Sequence, residues 1–215
     1  MDKSVKSWTF RYSHKDKPIP DGWVYTHCLG HHGAEGYGIL SKENRQKDDY
    51  YPTPPEATEA LLSKFPFAAK VWEPACGDGA ISKVLTAAGH DVISTDLNDW
   101  GYGQINIDFL MEPKKLADCV ITNPPYKLAN QFVLKCIDLN VSKFAMLLRL
   151  AFLEGKERRS VIYNTYPPCD VLVFSQRLTM IRGDHDKSWY GSGKMAFAWF
   201  VWEKGFKGKP RLDWL

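Results

Sequence analysis

The sequence predicts an α/β fold with a mostly parallel central sheet. Two observations carry that expectation. Between Asp49 and Leu150, short apolar runs of strand character alternate with helix-length segments whose apolar residues recur at helical spacing. The first of these runs passes through a glycine-rich turn directly into a helix, the unit from which parallel sheets are built. With 215 residues, 44% of them hydrophobic, the chain is long enough to bury a sizeable core, and its composition excludes a disordered or collagenous protein.

Residues 1–48 carry glycines, aromatics at no clear period and four of the six histidines, and read as an irregular extension. Residues 49–215 read as the folded domain. The segment YYPTPPEATEALLSKF has a proline-stiffened entry followed by Ala57, Ala60, Leu61 and Phe65, so a helix begins near Pro55. Lys70–Trp72 reads as a buried strand, and Gly79–Ala88 as a helix that Gly89 ends. Two further strands follow, Asp91–Thr95 closing at Asp96 and Asp118–Thr122 closing at Asn123. A helix over Leu128–Leu139, a strand over Phe144–Leu150 and a strand over Asp170–Phe174 continue the alternation. The last strand, Met195–Trp202, follows the loop RGDHDKSWYGSG and pairs antiparallel at or near an edge.

Composition narrows the function classes. No apolar run approaches the roughly 20 residues needed to cross a bilayer, and MDKSVKSWTF lacks the apolar stretch of a secretory signal. The five cysteines are scattered, without a CxxC pair, which argues against a disulfide framework. A cytoplasmic protein is the expectation. The net charge of +3 is mild, but its distribution is uneven. Residues 140–215 hold 13 basic and 7 acidic groups and six of the eight arginines, forked donors suited to phosphates.

Two motifs carry chemistry. Glu73-Pro74-Ala75-Cys76-Gly77-Asp78-Gly79 lies at the end of the first strand of the alternation, where glycines let backbone approach a ligand at the carboxyl edge of a sheet. It is neither the dinucleotide GxGxxG nor a P-loop, so phosphate is not the expected ligand. Asp96, at the end of the second strand, is placed to accept from ribose hydroxyls. Asp108 and Phe109 offer a carboxylate for an adenine amino group and a ring for its face. In this order they specify an adenosine whose tail passes the glycine turn.

The second motif is Asn123-Pro124-Pro125-Tyr126, directly after a strand. Two prolines cannot continue the strand, and they leave it as a stiff, exposed loop. The Asn123 side-chain oxygen and the Pro124 carbonyl can accept from one amino group, and Tyr126 can stack on the planar group that bears it.

EPACGDG, Asp96, DFL and NPPY together resemble the motifs of class I S-adenosylmethionine-dependent methyltransferases, specifically those that modify adenine N6. Tyr51-Pro52-Thr53-Pro54-Pro55 is similar to the segment that precedes the glycine turn in the gamma-type motif order. AMLLRLAFLEG and AFAWFVWEKG are similar to small phage and prophage enzymes, and the likeness covers about residues 49 to 206. It implies a Rossmann-like methyltransferase fold, mostly parallel with an antiparallel strand near the C-terminus, and S-adenosyl-L-methionine as cofactor. Residue by residue it implies Tyr51, Thr53 and Pro54 by the methionine end. Glu73 and the turn of Ala75, Cys76, Gly77, Asp78 and Gly79 then cradle the cofactor, Asp96 and Leu97 meet ribose, and Asp108 and Phe109 meet adenine. Asn123, Pro124, Pro125 and Tyr126 hold the target base. The implied reaction is methyl transfer to adenine N6 in DNA, with relaxed or short sequence specificity and no metal.

The basic C-terminal third supplies the expected nucleic-acid contacts: Arg158, Arg159, Arg182 and Lys187, with Trp189 and Tyr190 in the glycine-flanked loop. Trp199, Phe200 and Trp202 alternate as core residues of a strand should. His27, Cys28, His31 and His32 have no partner pair at zinc-site spacing. The same NPPY loop serves adenines of RNA and glutamine side chains of proteins, and a non-catalytic nucleic-acid binder could retain it. The arginine excess favours a polyanion without separating RNA from DNA.

Overall fold

The structure is a computed structural model that describes residues 25–28, 36–39, 51–178, 180 and 195–215. It divides into two units, residues 1–48 and 49–215. In the first, β1 (Tyr25–Cys28) and β2 (Gly36–Ile39) pair antiparallel, a hairpin within a stretch whose sequence shows no period.

The second unit is a seven-stranded sheet in the order β4-β3-β5-β6-β8-β7-β9. Its strands are β3 (Lys70–Glu73), β4 (Asp91–Ser94), β5 (Cys119–Thr122), β6 (Lys143–Arg149), β7 (Asp170–Val173), β8 (Phe197–Glu203) and β9 (Arg211–Trp214). β4, β3, β5 and β6 run parallel, so Glu73, Ser94, Thr122 and Arg149 end on one edge. β8 pairs antiparallel with both β6 and β7 and lies inside the sheet, not at its edge. Its burial explains the placement: Ala198 to Val201 are wholly inaccessible, as only a strand covered on both faces can be. The edge belongs to β9, which pairs parallel with β7 and which the sequence, reading KPRLDWL, does not signal. Contacts rather than propensity hold it: Arg211 forks onto Asp170 at 2.7 and 2.8 Å, and Lys64 reaches Asp213 at 2.8 Å.

Helices cover both faces. α1 (Pro55–Lys64) starts with proline in its first turn, where no N–H is missed, and buries Ala57 and Leu61. α2 (Ala80–Ala87) buries Ile81 and Leu85 on the same face, against Val71, Ile121, Leu147 and Trp199. The Trp199 indole donates to the Ala57 carbonyl at 2.7 Å, tying α1 to the centre of the sheet. α3 (Ala129–Asp138) packs Phe132, Val133 and Cys136 against Trp72, Val120, Phe144 and Trp202 on the other face. Alternate strand residues serve opposite cores, as the two-residue period of a strand requires. Trp199, Phe200 and Trp202 are core, as their spacing predicts. No helix among the described residues is long and apolar enough to cross a membrane.

Candidate active site

The parallel strands deliver two motif loops to the same carboxyl edge. After β3 the chain turns through Cys76 and Gly79, closed by a Gly79 N–H to Cys76 carbonyl bond of 2.8 Å and anchored by Cys76 N–H to the Thr95 carbonyl at 3.1 Å. Gly79 has φ +81°, and a Cβ there would lie 2.5 Å from the Tyr102 ring. The glycine is therefore required twice over, by its left-handed backbone and by the aromatic ring lying on it. Tyr102 belongs to Asp99-Trp100-Gly101-Tyr102-Gly103, a loop missing from the sequence-based site although its alternation of aromatics and glycines was a legible signal.

Much of the acidic chemistry around this turn is spent internally. Asp96 accepts from the Gly77 N–H at 2.9 Å and the Asn98 N–H at 2.8 Å, and the Trp100 side chain adds a third bond. The carboxylate thus holds the glycine turn to the end of β4. The Leu97 backbone adds a further bond, so the carboxylate is fixed in orientation by its own chain at the position expected to meet ribose. Burial nonetheless raises its pKa, outweighing those donors. Glu73 is buried and takes the Ser82 hydroxyl, which lies 2.6 Å from the Ser94 hydroxyl. Burial pushes its pKa well up, and repulsion from Asp96 and Asp78 adds to this. Glu73 links β3, α2 and β4 rather than facing the edge. Ala75 is half-buried, as are Asp78, whose carboxylate caps the Ala80 N–H at 3.1 Å, and Leu97. The Cys76 thiol is pushed up to about 12 by burial, with the neighbouring carboxylates adding to it.

Phe109 is a correction to the sequence-based site. Its ring is 2% exposed, edge-on to Trp72 at 5.0 Å and tilted against Phe132 at 4.8 Å, so it is core and offers no face to an adenine. Asp108 accepts from the Leu110 N–H at 3.1 Å and caps the short 3-10 turn that holds that ring in place.

After β5 the second loop is arranged differently. The Asn123 Nδ2 donates both of its hydrogens inward, to the Tyr51 carbonyl at 3.0 Å and the Thr53 hydroxyl at 3.1 Å. A carbonyl can only accept, so the amide's orientation is fixed and Oδ1 is the atom left for a ligand. Pro54 is the residue before α1, so the helix start positions Thr53. Pro124 is buried, and Pro125 leads into a 3-10 turn over Tyr126–Leu128. The Tyr126 ring stacks near Tyr51 at 5.7 Å, tilts against Phe197 at 5.8 Å and lies under the Arg149 guanidinium at 4.7 Å. The sequence counts Arg149 among the six C-terminal arginines suited to phosphates, without placing it at this site. It is the last residue of β6, and strand-end position was the available signal.

The expected nucleic-acid contacts divide. Arg158 is committed internally: it donates to Asn130 Oδ1 and to the Phe152 and Glu154 carbonyls and stacks on Phe152 at 4.2 Å. These bonds use Nε and Nη1 and leave the Nη2 end of the guanidinium for the expected phosphate contact. Arg159 is exposed. Arg182, Lys187, Trp189 and Tyr190 lie outside the described residues, as do His31 and His32.

No family model matches the sequence, and no curated protein matches it. Solved structures do match. A predicted O-methyltransferase of Agrobacterium tumefaciens aligns over 75% of this chain and 85% of its own, with TM-score 0.53 and 12% identity. A Pyrococcus horikoshii protein assigned as an RNA methyltransferase aligns over 72% and 87%, with TM-score 0.51 and 15% identity. A Vibrio vulnificus protein assigned as the modification subunit of a type I restriction enzyme aligns over 78% of this chain, with TM-score 0.50 and 11% identity. The chain corresponds to 46% of that protein's length. The architecture is the Rossmann-like fold of methyltransferases. In that fold both loops lie where nucleotide ligands bind, outside the carboxyl ends of parallel strands.

Proposed function

We propose that the protein transfers the methyl group of S-adenosyl-L-methionine to the exocyclic N6 amine of adenine in DNA. The observation that carries this reading is the inward tethering of the Asn123 amide nitrogen, which leaves its oxygen as an acceptor beside Pro124 and Tyr126. The glycine turn suits the cofactor on charge. Asp78 and Asp96 border it, carboxylates whose repulsion raises the Glu73 pKa, and their charge favours a cationic ligand over a phosphate. A sulfonium and an ammonium supply that charge. Asp78, Asp96 and the turn's backbone would hold the cofactor, with Thr53 and Pro54 at its methionine end.

When bound, the cofactor supplies a methyl group already activated by its sulfonium. An aromatic amine is a poor nucleophile because its lone pair is delocalised into the ring. Asn123 Oδ1 and the Pro124 carbonyl accept its two hydrogens, draw the nitrogen toward tetrahedral geometry and stabilise the positive charge that develops on it. Tyr126, braced by Tyr51 and Phe197, forms a wall for the planar base. The proton leaves to solvent after transfer. A base stacked in a duplex cannot reach this loop, so the target is flipped out or already single-stranded.

The test is incubation with methyl-labelled cofactor and matched DNA, RNA and protein substrates, followed by nucleoside and amino-acid analysis. The expected product is N6-methyladenine in DNA. Label confined to RNA or to glutamine would reassign the substrate, and no transfer to any of the three would remove the reading.

A further inference from the structure

We propose that Arg149 binds a phosphodiester of the substrate beside the target base, making the site selective for a nucleic acid over an uncharged amide side chain. The inference rests on the reading of the site as a base methyltransferase and extends it to substrate class.

Arg149 ends β6, on the same edge as the Asn123–Tyr126 loop that follows β5, and its guanidinium lies 4.7 Å over the Tyr126 ring. Its Nε is buried and has no hydrogen-bond partner, and no carboxylate pairs with it among the described residues. Two other arginines show how this fold ordinarily employs the group: Arg211 forks onto Asp170, and Arg158 donates to Asn130 and two carbonyls. A buried donor without a partner is destabilising. The cation–π contact offsets only part of that.

The reaction sharpens the case for an anion. Methyl transfer from a sulfonium to a neutral amine leaves positive charge on the amine nitrogen. An uncompensated guanidinium against the wall of the base site would repel that charge and slow transfer. An anion arriving with the substrate removes the repulsion and gives the unpaired guanidinium a counter-charge. Adenine itself is uncharged, and a glutamine side chain brings no charge of its own. A nucleotide brings a phosphodiester, which the guanidinium fork matches in geometry. The cofactor's carboxylate is the other available anion, and the experiment separates the two.

The experiment measures methyl transfer to a short single-stranded DNA carrying one adenine. It compares that DNA with versions in which a phosphate flanking the adenine is replaced by an uncharged methylphosphonate. Wild-type protein, Arg149→Gln and Arg149→Lys are compared, with cofactor affinity by calorimetry and folding by thermal melting alongside. For wild type, neutralising one flanking phosphate is expected to raise KM about tenfold. Arg149→Gln should raise KM by a similar factor on normal DNA, show no further loss on the neutralised one, and lower the salt slope by about one. Arg149→Lys should recover part of the loss, with cofactor affinity unchanged in both variants.

Equal sensitivity to the methylphosphonate in wild type and Arg149→Gln would overturn the assignment. So would a loss of cofactor affinity in place of substrate KM, which would give Arg149 to the carboxylate. Failure of wild type to methylate any DNA or RNA would overturn the functional reading and this assignment with it. Transfer by wild type that ignores the flanking phosphates would overturn this assignment alone.

Discussion

The two halves of the carboxyl edge manage their polar groups in opposite ways. At the ends of β3 and β4, Asp96 bonds the glycine turn, Glu73 bonds Ser82, and Phe109 is sealed between Trp72 and Phe132. At the ends of β5 and β6, Asn123 is tethered by one end only and Arg149 carries an unpartnered Nε. The first half is a self-satisfied frame that shapes a cradle. The second leaves donors and acceptors unmatched, and unmatched polar groups are what a substrate can complete. Substitutions in the first half should therefore act through shape and stability, and those in the second through rate.

The largest expected effect tests the second half. Asn123→Ala should cut methyl transfer by about 10²-fold or more at saturating cofactor, because it removes a preorganised acceptor aimed at developing charge. Melting temperature should fall modestly, because the Tyr51 carbonyl and the Thr53 hydroxyl each lose a donor, and cofactor affinity should change far less than turnover. A variant that retained near-normal turnover would erase the contrast between the halves. Next in size is Asp96→Ala, which removes acceptors from the Gly77 and Asn98 amides and leaves both donors unpaired. A cost of about 1–3 kcal/mol in stability follows, with cofactor affinity down roughly tenfold as the turn loosens. Calorimetry and thermal melting on the same sample check both. A loss of affinity with unchanged melting would mean that Asp96 serves the ligand more than the frame.

The sequence made the frame largely legible, because parallel βα units write themselves as alternating periods. Each strand from Lys70 to Phe174 lies within a residue or so of its expected limits. Two placements were hidden. β8 reads the same whether it lies inside a sheet or near its edge, since position depends on which strands flank it. β9 has Leu212 and Trp214 but also Arg211, Asp213 and a preceding Pro210, and only the Asp170 and Lys64 contacts settle it. At the site, position was legible and availability was not. Motif order brings Asp96 and Asn123 to strand ends on one edge, but whether a group faces a ligand or a neighbour depends on contacts from distant chain, such as Phe132 on Phe109 and Thr53 on Asn123. Arg149 stood out only as one of six C-terminal arginines, and Tyr102 not at all, because neither belongs to a spaced motif.

A smaller effect probes the tether itself. Thr53 is buried and supplies one of the two acceptors that hold the Asn123 amide. Thr53→Val keeps the shape and removes the hydroxyl, a loss of about 1 kcal/mol of orienting interaction, or several-fold in kcat. Substrate KM should not move, and Thr53→Ser should restore the rate. A change in cofactor KM instead of kcat would assign the hydroxyl to the methionine end.

The smallest expected effect concerns the frame and pH. Burial, aided by Asp96 and Asp78, raises the Glu73 pKa in the folded chain well above its ordinary 4.5. A carboxyl whose pKa is raised on folding binds protons more tightly in the native state. Its protonated form is therefore favoured there, and the stability it contributes is fully present below pH 4.5 and lost as pH rises through the elevated value. Asp96 is shifted in the same direction, and the two act together. Stability of the ligand-free protein should accordingly fall as pH rises above 4.5 where these groups dominate the titration. Glu73→Gln mimics the neutral form, keeps a partner for Ser82 and should flatten that slope. Melting temperatures of the two proteins across this range decide it: parallel curves would mean that Glu73 is not the proton-binding group. A cationic ligand at the turn should flatten the wild-type curve as well, since it lowers the cost of the charged carboxylates.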